Sequence, residues 1–303
     1  MENNLVTSTG SVNYGEMAKF MGIPQSSGDA EKKTSQLSRV KLLHKPVMGQ
    51  QEVAGKMKNM EIVEAGSYSV TLPDERIVYV SKLNIRPFMQ RYMYKRFIKG
   101  SDDTPNRYVK TVMSDNLNVD LKDNDGGFNC GKPAGYIQDF ASLPDKQKEL
   151  IRQIKRVRVI LGLAKFDKAT KVEGEYTNDA DLGYVPFIWE VDNREAFKTV
   201  GDVFVKLSKM KRLPVNHTVY ASSEERKLPN GNSYYVPSTR LDLTKKVETS
   251  DKDQELFGDL LSWVTNYNQY IMGQFDENVH SKEDIDPAVV ETFIDITSDE
   301  KVQ

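Results

Sequence analysis

Apolar residues between positions 37 and 113 recur mainly at every second place, in short runs bounded by Gly, Pro or Asp, which predicts strands. The runs are LSRVKLLH, EIVEAG, SYSVTL and IVYVSKLNIRPF, in which Ile77, Tyr79, Ser81, Leu83 and Ile85 share one pleated face. After Pro87 the segment PFMQRYMYKRFI continues as a further strand, and RYVKTVM is its predicted hairpin partner across the polar loop SDDTPN. Residues 114–135 mix Asp, Asn and Gly and read as a long irregular loop. A helical spacing then opens at Pro144 and Asp145, with Gln147, Leu150, Ile151 and Ile154 on one face. VRVILGLAKF and YVPFIWEV are strand-like, and Phe197, Val200, Val203, Phe204 and Leu207 form a helical stripe. HTVYASSEERK and SYYVPSTRLDL flank an Asn-Gly turn, the strongest short hairpin signal. Leu256, Leu260, Val264, Tyr267 and Ile271 mark a closing helix capped by Ser250 or Asp251. The expected fold class is β-rich α+β, a small antiparallel barrel with inserted and appended helices.

The ends change the picture. Residues 1–36 are rich in Ser, Asn, Gly and Lys without sustained periodicity and read as a flexible arm. Residues 37–275 read as one domain, and residues 276–303 as an acidic tail. The net charge of −2 is unevenly spread: positions 276–303 hold nine acidic residues and two lysines, so the remainder carries about +5. Opposite local charges steer partners more than the total does. The lone Cys130 excludes an internal disulfide or a multi-cysteine zinc site. No apolar run reaches the roughly 20 residues that span a bilayer, and the first residues lack a signal-peptide pattern. A cytoplasmic protein with no membrane partner is expected.

Three basic clusters carry the candidate chemistry. Residues 85–98 interleave Arg86, Arg91, Lys95 and Arg96 with Phe88, Tyr92, Tyr94 and Phe97, and Arg107 follows in a stretch, 82–110, of eight basic and two acidic residues. Cations neutralise phosphates and aromatic faces stack on bases, which is what single-strand binding requires. If the segment is extended, Phe88, Tyr92 and Tyr94 share a face. Lys155, Arg156 and Arg158, preceded by Lys146, Lys148 and Arg152, form the second cluster. Lys209, Lys211 and Arg212 form the third, where the helix dipole also favours cations. Half-buried strand aromatics and solvated lysines give the same pattern without any ligand.

Catalytic readings are weaker. His44, His217 and His280 are scattered, no nucleophile or P-loop signature is present, and Gly131-Lys132 is followed by Pro133 rather than Ser or Thr. Asp115, Asp120, Asp123 and Asp125 leave a metal-dependent nuclease open, although Asp, Asn and Gly together are usually a loop. No catalytic residue, resident metal or cofactor is expected. The stretches IRPFMQRYMYKRF, LGLAKF, YVPFIWEV and NGNSYYVP, followed by a charged amphipathic helix, resemble tailed-phage single-stranded DNA-binding proteins over residues 37–275. That resemblance implies an oligonucleotide-binding (OB) barrel, sequence-indifferent binding of single-stranded DNA in replication or recombination, and an acidic tail that recruits phage or host replication proteins. It leaves oligomerisation open. A virion or other structural interaction protein is the alternative from a different class.

Overall fold

The longest alternating run becomes the spine of the protein. In this computed structural model, which describes residues 37–283 apart from 54, 102–103, 167–168, 172–175 and 178–181, strand β6 runs from Leu83–Ile98. The chain divides into Met1–Gln36 and Leu37–Gln303. The expected arm and residues 284–303 of the expected tail lie outside the described residues.

The other strands are β1 (Ser38–Leu42), β2 (Val47–Val53), β3 (Lys56–Val63), β4 (Tyr68–Thr71), β5 (Ile77–Val80), β7 (Arg107–Lys110), β8 (Ile154–Phe166), β9 (Ala169–Lys171), β10 (Tyr176–Thr177), β11 (Tyr184–Val191), β12 (Val219–Lys227) and β13 (Ser233–Leu241). The helices are α1 (Asp145–Gln153), α2 (Arg194–Lys209) and α3 (Asp251–Glu283). Eleven strands form one sheet in the order β10-β9-β5-β4-β1-β11-β8-β6-β12-β13, with β7 beside β6. Within it β1 runs parallel to β11, while the other paired strands are antiparallel. The fold is therefore mixed α+β and rich in sheet, and a mixed sheet stands where a wholly antiparallel barrel was expected. Alternation along a strand specifies which face is buried but not the direction of the neighbouring strand, so this difference was invisible in the pattern. β2 and β3 form a separate ribbon, in which Lys56 and Lys58 lie on β3.

Helices cover both faces. On one, Val200, Val203 and Leu207 of α2 pack with Leu83, Ile85, Ile160, Phe166, Phe187 and Trp189. Asn193 caps α2, its side chain accepting from the N–H groups of Glu195 and Ala196. On the other face Leu260 and Val264 of α3 pack with Met89, Met93, Val157, Val159 and Leu161. The two faces of β6 exchange roles at a bulge between Pro87 and Met89. One extra residue, Phe88, reverses the parity of everything after it. Even positions Arg86 and Asn84 share a face with odd positions Met89 and Met93. Phe88 consequently packs with the α3 core, apart from Tyr92 and Tyr94, correcting the shared face expected for the three. Gly162 sits opposite the bulge, where a Cβ would come within 2.2 Å of the Arg86 carbonyl oxygen.

The long helix is fixed at its start by a buried ion pair. Arg86 donates from Nη1 and Nη2 to the two oxygens of Asp253 at 2.8 and 3.0 Å, and from Nε to the Val215 carbonyl at 2.6 Å. Asp253 also accepts from the Ser250 amide at 2.7 Å and its hydroxyl at 3.0 Å, the reciprocal arrangement of a capping box. Further along, the Asn268 amide bridges both backbone groups of Met113, and Asn278 Nδ2 donates to the Asn124 carbonyl. The helix thus continues through 283, and the acidic segment expected to begin at 276 begins instead within α3.

Replacing Arg86 with Met should destabilise the fold by about 3–5 kcal/mol in denaturant unfolding, because Asp253 is left buried and unpaired. The Arg86→Met/Asp253→Leu double variant should recover much of that loss. Burial alone would raise the Asp253 pKa, but hydrogen bonds from Arg86 and Ser250 outweigh it and hold the carboxyl below its usual range. A depressed folded-state pKa stabilises above the unfolded value, about 3.9, and that stabilisation is lost as pH falls through the lower folded value. Thermal unfolding from pH 6 to 2 should therefore fall more steeply for the wild type than for Asp253→Asn.

Candidate nucleic-acid interface

Strand pairing brings two of the three basic clusters together. Tyr92 lies opposite Arg158, Tyr94 opposite Arg156 and Lys95 opposite Lys155 across β6 and β8. The pleat then sorts them by face. Tyr92, Tyr94, Arg96, Arg156 and Arg158 lie on the α2 side, and Arg91, Lys95, Phe97 and Lys155 on the α3 side. The third cluster does not join them. Lys209, Lys211 and Arg212 are exposed at the far end of α2, about 18 Å along the helix from Phe197, which packs on Arg158.

Several expected ligands are spent on the fold itself. Arg86 holds Asp253, and Phe88 is half-buried under α3. Tyr94 is buried, its hydroxyl donating to the Leu117 carbonyl. Arg158 is buried beneath the Phe197 ring and donates to the Phe197 carbonyl, Gln90 and the Tyr92 hydroxyl. Arg107 pairs with Asp125 at 2.5 Å. A sequence shows that a basic residue stands in a strand, not whether a partner 167 residues away claims it.

On the α3 side a groove of about 550 Å³ crosses β1, β11, β6 and β7, walled by α3. Four cations line it, Arg39, Lys41, Lys95 and Lys110, against two carboxylates, Glu190 and Asp192. The strands lie about 4.8 Å apart, so the floor from β1 through β11, β8 and β6 to β7 extends roughly 19 Å. Lys95 contacts Glu190 and Asp192, both at 3.1 Å, while Lys110 reaches Glu190 at 3.2 Å and Lys155 reaches Asp192 at 3.3 Å. Burial would raise the Glu190 carboxyl, but Lys110 and Lys95 outweigh it and keep it ionised below its usual range. Asp192 is depressed likewise against its burial by Lys95 and Lys155. Three lysines over two carboxylates leave the network positive, and Arg39 and Lys41 are exposed beside it.

Aromatic rings stand among these charges. Tyr108 and Phe97 pack together at 5.1 Å yet remain 52% and 45% exposed, enough open ring face to receive a base. Lys95 Nζ lies 5.6 Å from the Tyr108 ring centre. Trp263 stacks on Tyr267 at 5.9 Å and an 11° interplanar angle, and both rings line the groove. Of the residues expected from sequence, only Lys95 lines this groove, with Phe97 and Lys155 at its edge. Arg39, Lys41, Tyr108, Lys110 and Trp263 were missed. Arg39 and Lys41 did carry a signal, two basic residues alternating with the apolar Val40; Trp263 carried none, since its place depends on the seating of α3.

The aspartates of the long loop are occupied. Asp123 is buried and accepts from the amides of Asp125, Gly127 and Cys130 at 2.9–3.0 Å, and Asp120 accepts from Asn129 Nδ2 at 2.7 Å. Among the described residues no three His, Cys, Asp or Glu side chains come together as a metal site. Burial pushes the Cys130 thiol up to about 12, so it stays protonated and unreactive at neutral pH. No described helix is long and apolar enough to cross a membrane. No protein-family model, curated protein or solved structure matches the chain.

Proposed function

We propose that the chain binds single-stranded DNA without regard to sequence, with the groove on the α3 side as its channel, in replication or recombination. The observation that supports this most is the combination in one groove of four cations over two carboxylates with the exposed Tyr108–Phe97 pair. Phosphates supply the attraction to the cations, and stacking on open rings is indifferent to base identity. The reading rests on that surface and does not need an OB barrel. In it the acidic residues 284–303 compete for the groove and offer a docking segment to replication proteins. The interaction-protein reading is favoured by one separate observation, the exposed Met48, Met57 and Met60 on the β2–β3 ribbon; a symmetric assembly indifferent to nucleic acid would support it instead.

Fluorescence anisotropy with an unstructured oligonucleotide across a salt series tests the channel. Arg39→Gln and Lys41→Gln should each weaken binding and lower the log–log salt slope by about 0.7. Tyr108→Ala should cost about 1–3 kcal/mol. Glu190→Gln should tighten binding by removing a competing anion. Binding that is absent at low salt, or blind to all four substitutions, would sink the proposal.

Truncation after Glu283, which spares the Asn278 and Asp276 contacts to the loop, should tighten binding at low salt. Unchanged affinity would remove the tail from the mechanism while leaving the channel.

A further inference from the structure

The α2 face of the same strand pair carries positive charge that the groove does not use. Arg96 projects from β6 and Arg156 from β8, and Lys132 reaches toward them from the loop, its Nζ 5.2 Å from the Tyr94 ring centre. Lys132 is aimed by the carbonyls of Pro133 and Gly135 at 2.8 and 2.7 Å. Arg156 lies over the Phe197 ring at 5.2 Å, and Arg96 Nη1 donates to the Cys130 carbonyl at 3.1 Å. Among the described residues none of the three forms an ion pair with a carboxylate. Asp120, whose field reaches Tyr94, is taken by Asn129.

Two features of this trio are unfavourable as they stand. Arg96 Nε is buried with no acceptor, which leaves its desolvation uncompensated. The cations also repel one another: burial and then Arg156 hold the Lys132 ammonium below the usual lysine value. A tetrahedral anion with acceptors on several sides relieves the repulsion, and arginine forks with a lysine point charge match it. We propose that Arg96, Lys132 and Arg156 form a phosphate-binding site on the α2 face, distinct from the groove.

The phosphate has two candidate sources. Lys95 and Arg96 are neighbours on opposite faces, so a strand leaving the groove around the end of β6 could place a phosphodiester there, an assignment that rests on the single-strand reading. A free phosphate, inorganic or on a nucleotide, has the same chemistry.

Phosphorus NMR of inorganic phosphate titrated with the full chain tests the site directly, alongside oligonucleotide anisotropy. Wild type and the Arg39→Gln/Lys41→Gln groove variant should bind phosphate equally. Lys132→Gln and Arg156→Gln, checked for intact folding by thermal melts, should each weaken it about tenfold, the worth of one charge-assisted hydrogen bond. If these two variants also lower oligonucleotide affinity and its salt slope, the site takes a phosphodiester; if only inorganic phosphate binding falls, it takes free phosphate. No phosphate binding by wild type, or equal binding by the Lys132 and Arg156 variants, overturns the site. Failure of the groove to bind a strand leaves the phosphate titration unaffected, so the two proposals fall separately.

Discussion

The seating of α3 depends on Arg86 and Asp253. A buried ion pair gains little unless its remaining hydrogen-bonding capacity is met, and here it is met: Arg86 also donates to Val215 and Glu248 carbonyls, and Asp253 also takes the amide and hydroxyl of Ser250. The same carboxylate ties the helix to the sheet and finishes its first turn. Ten residues further, about 15 Å along the axis, Trp263 and Tyr267 reach the groove. Apolar packing supplies area between α3 and the sheet, but area alone tolerates sliding. The pair at 253 and the Asn268 bridge to Met113 are directional, and they fix which helix residues face the groove.

The groove illustrates a balance between order and attraction. Without Glu190 and Asp192, lysines at 95, 110 and 155 would repel one another on adjacent strands. With one more carboxylate the network would be neutral. The surplus is small, and it resides on a rigid sheet rather than on loops, so an anion would meet side chains already held in place. On the opposite face none of Arg96, Lys132 and Arg156 forms an ion pair with a carboxylate among the described residues, and burial followed by the nearby Arg156 lowers the basicity of Lys132.

Much of the secondary structure was legible because it follows from local period and local chemistry. The stripe from Phe197 to Leu207, the Asn-Gly hairpin of β12 and β13, and the Ser250 cap are decided within a few residues. The mixed sheet was not legible, because the parallel contact of β1 with β11 joins residues about 150 apart. The site divides the same way. The pairing of Lys95 with Lys155 and of Tyr94 with Arg156 made the first two clusters neighbours, but Arg86, Tyr94 and Arg158 were claimed by the interior. Residues with long side chains are read equally well as ligands or as bolts until their distant partners are known.

The bulge at Phe88 gives β6 two phases. Before it, odd residues serve the α2 core; after it, they carry Lys95 and Phe97 to the groove, while Arg96 turns to the α2 side. One inserted residue thus decides which surface each later side chain belongs to, and Gly162 on the neighbouring strand leaves the room that the insertion needs. Substitutions along β6 alter single contacts, whereas loss of one residue at 88 would transpose the two charged faces wholesale. The division of labour between the two sides of the sheet is therefore set by a count of residues as much as by their kinds.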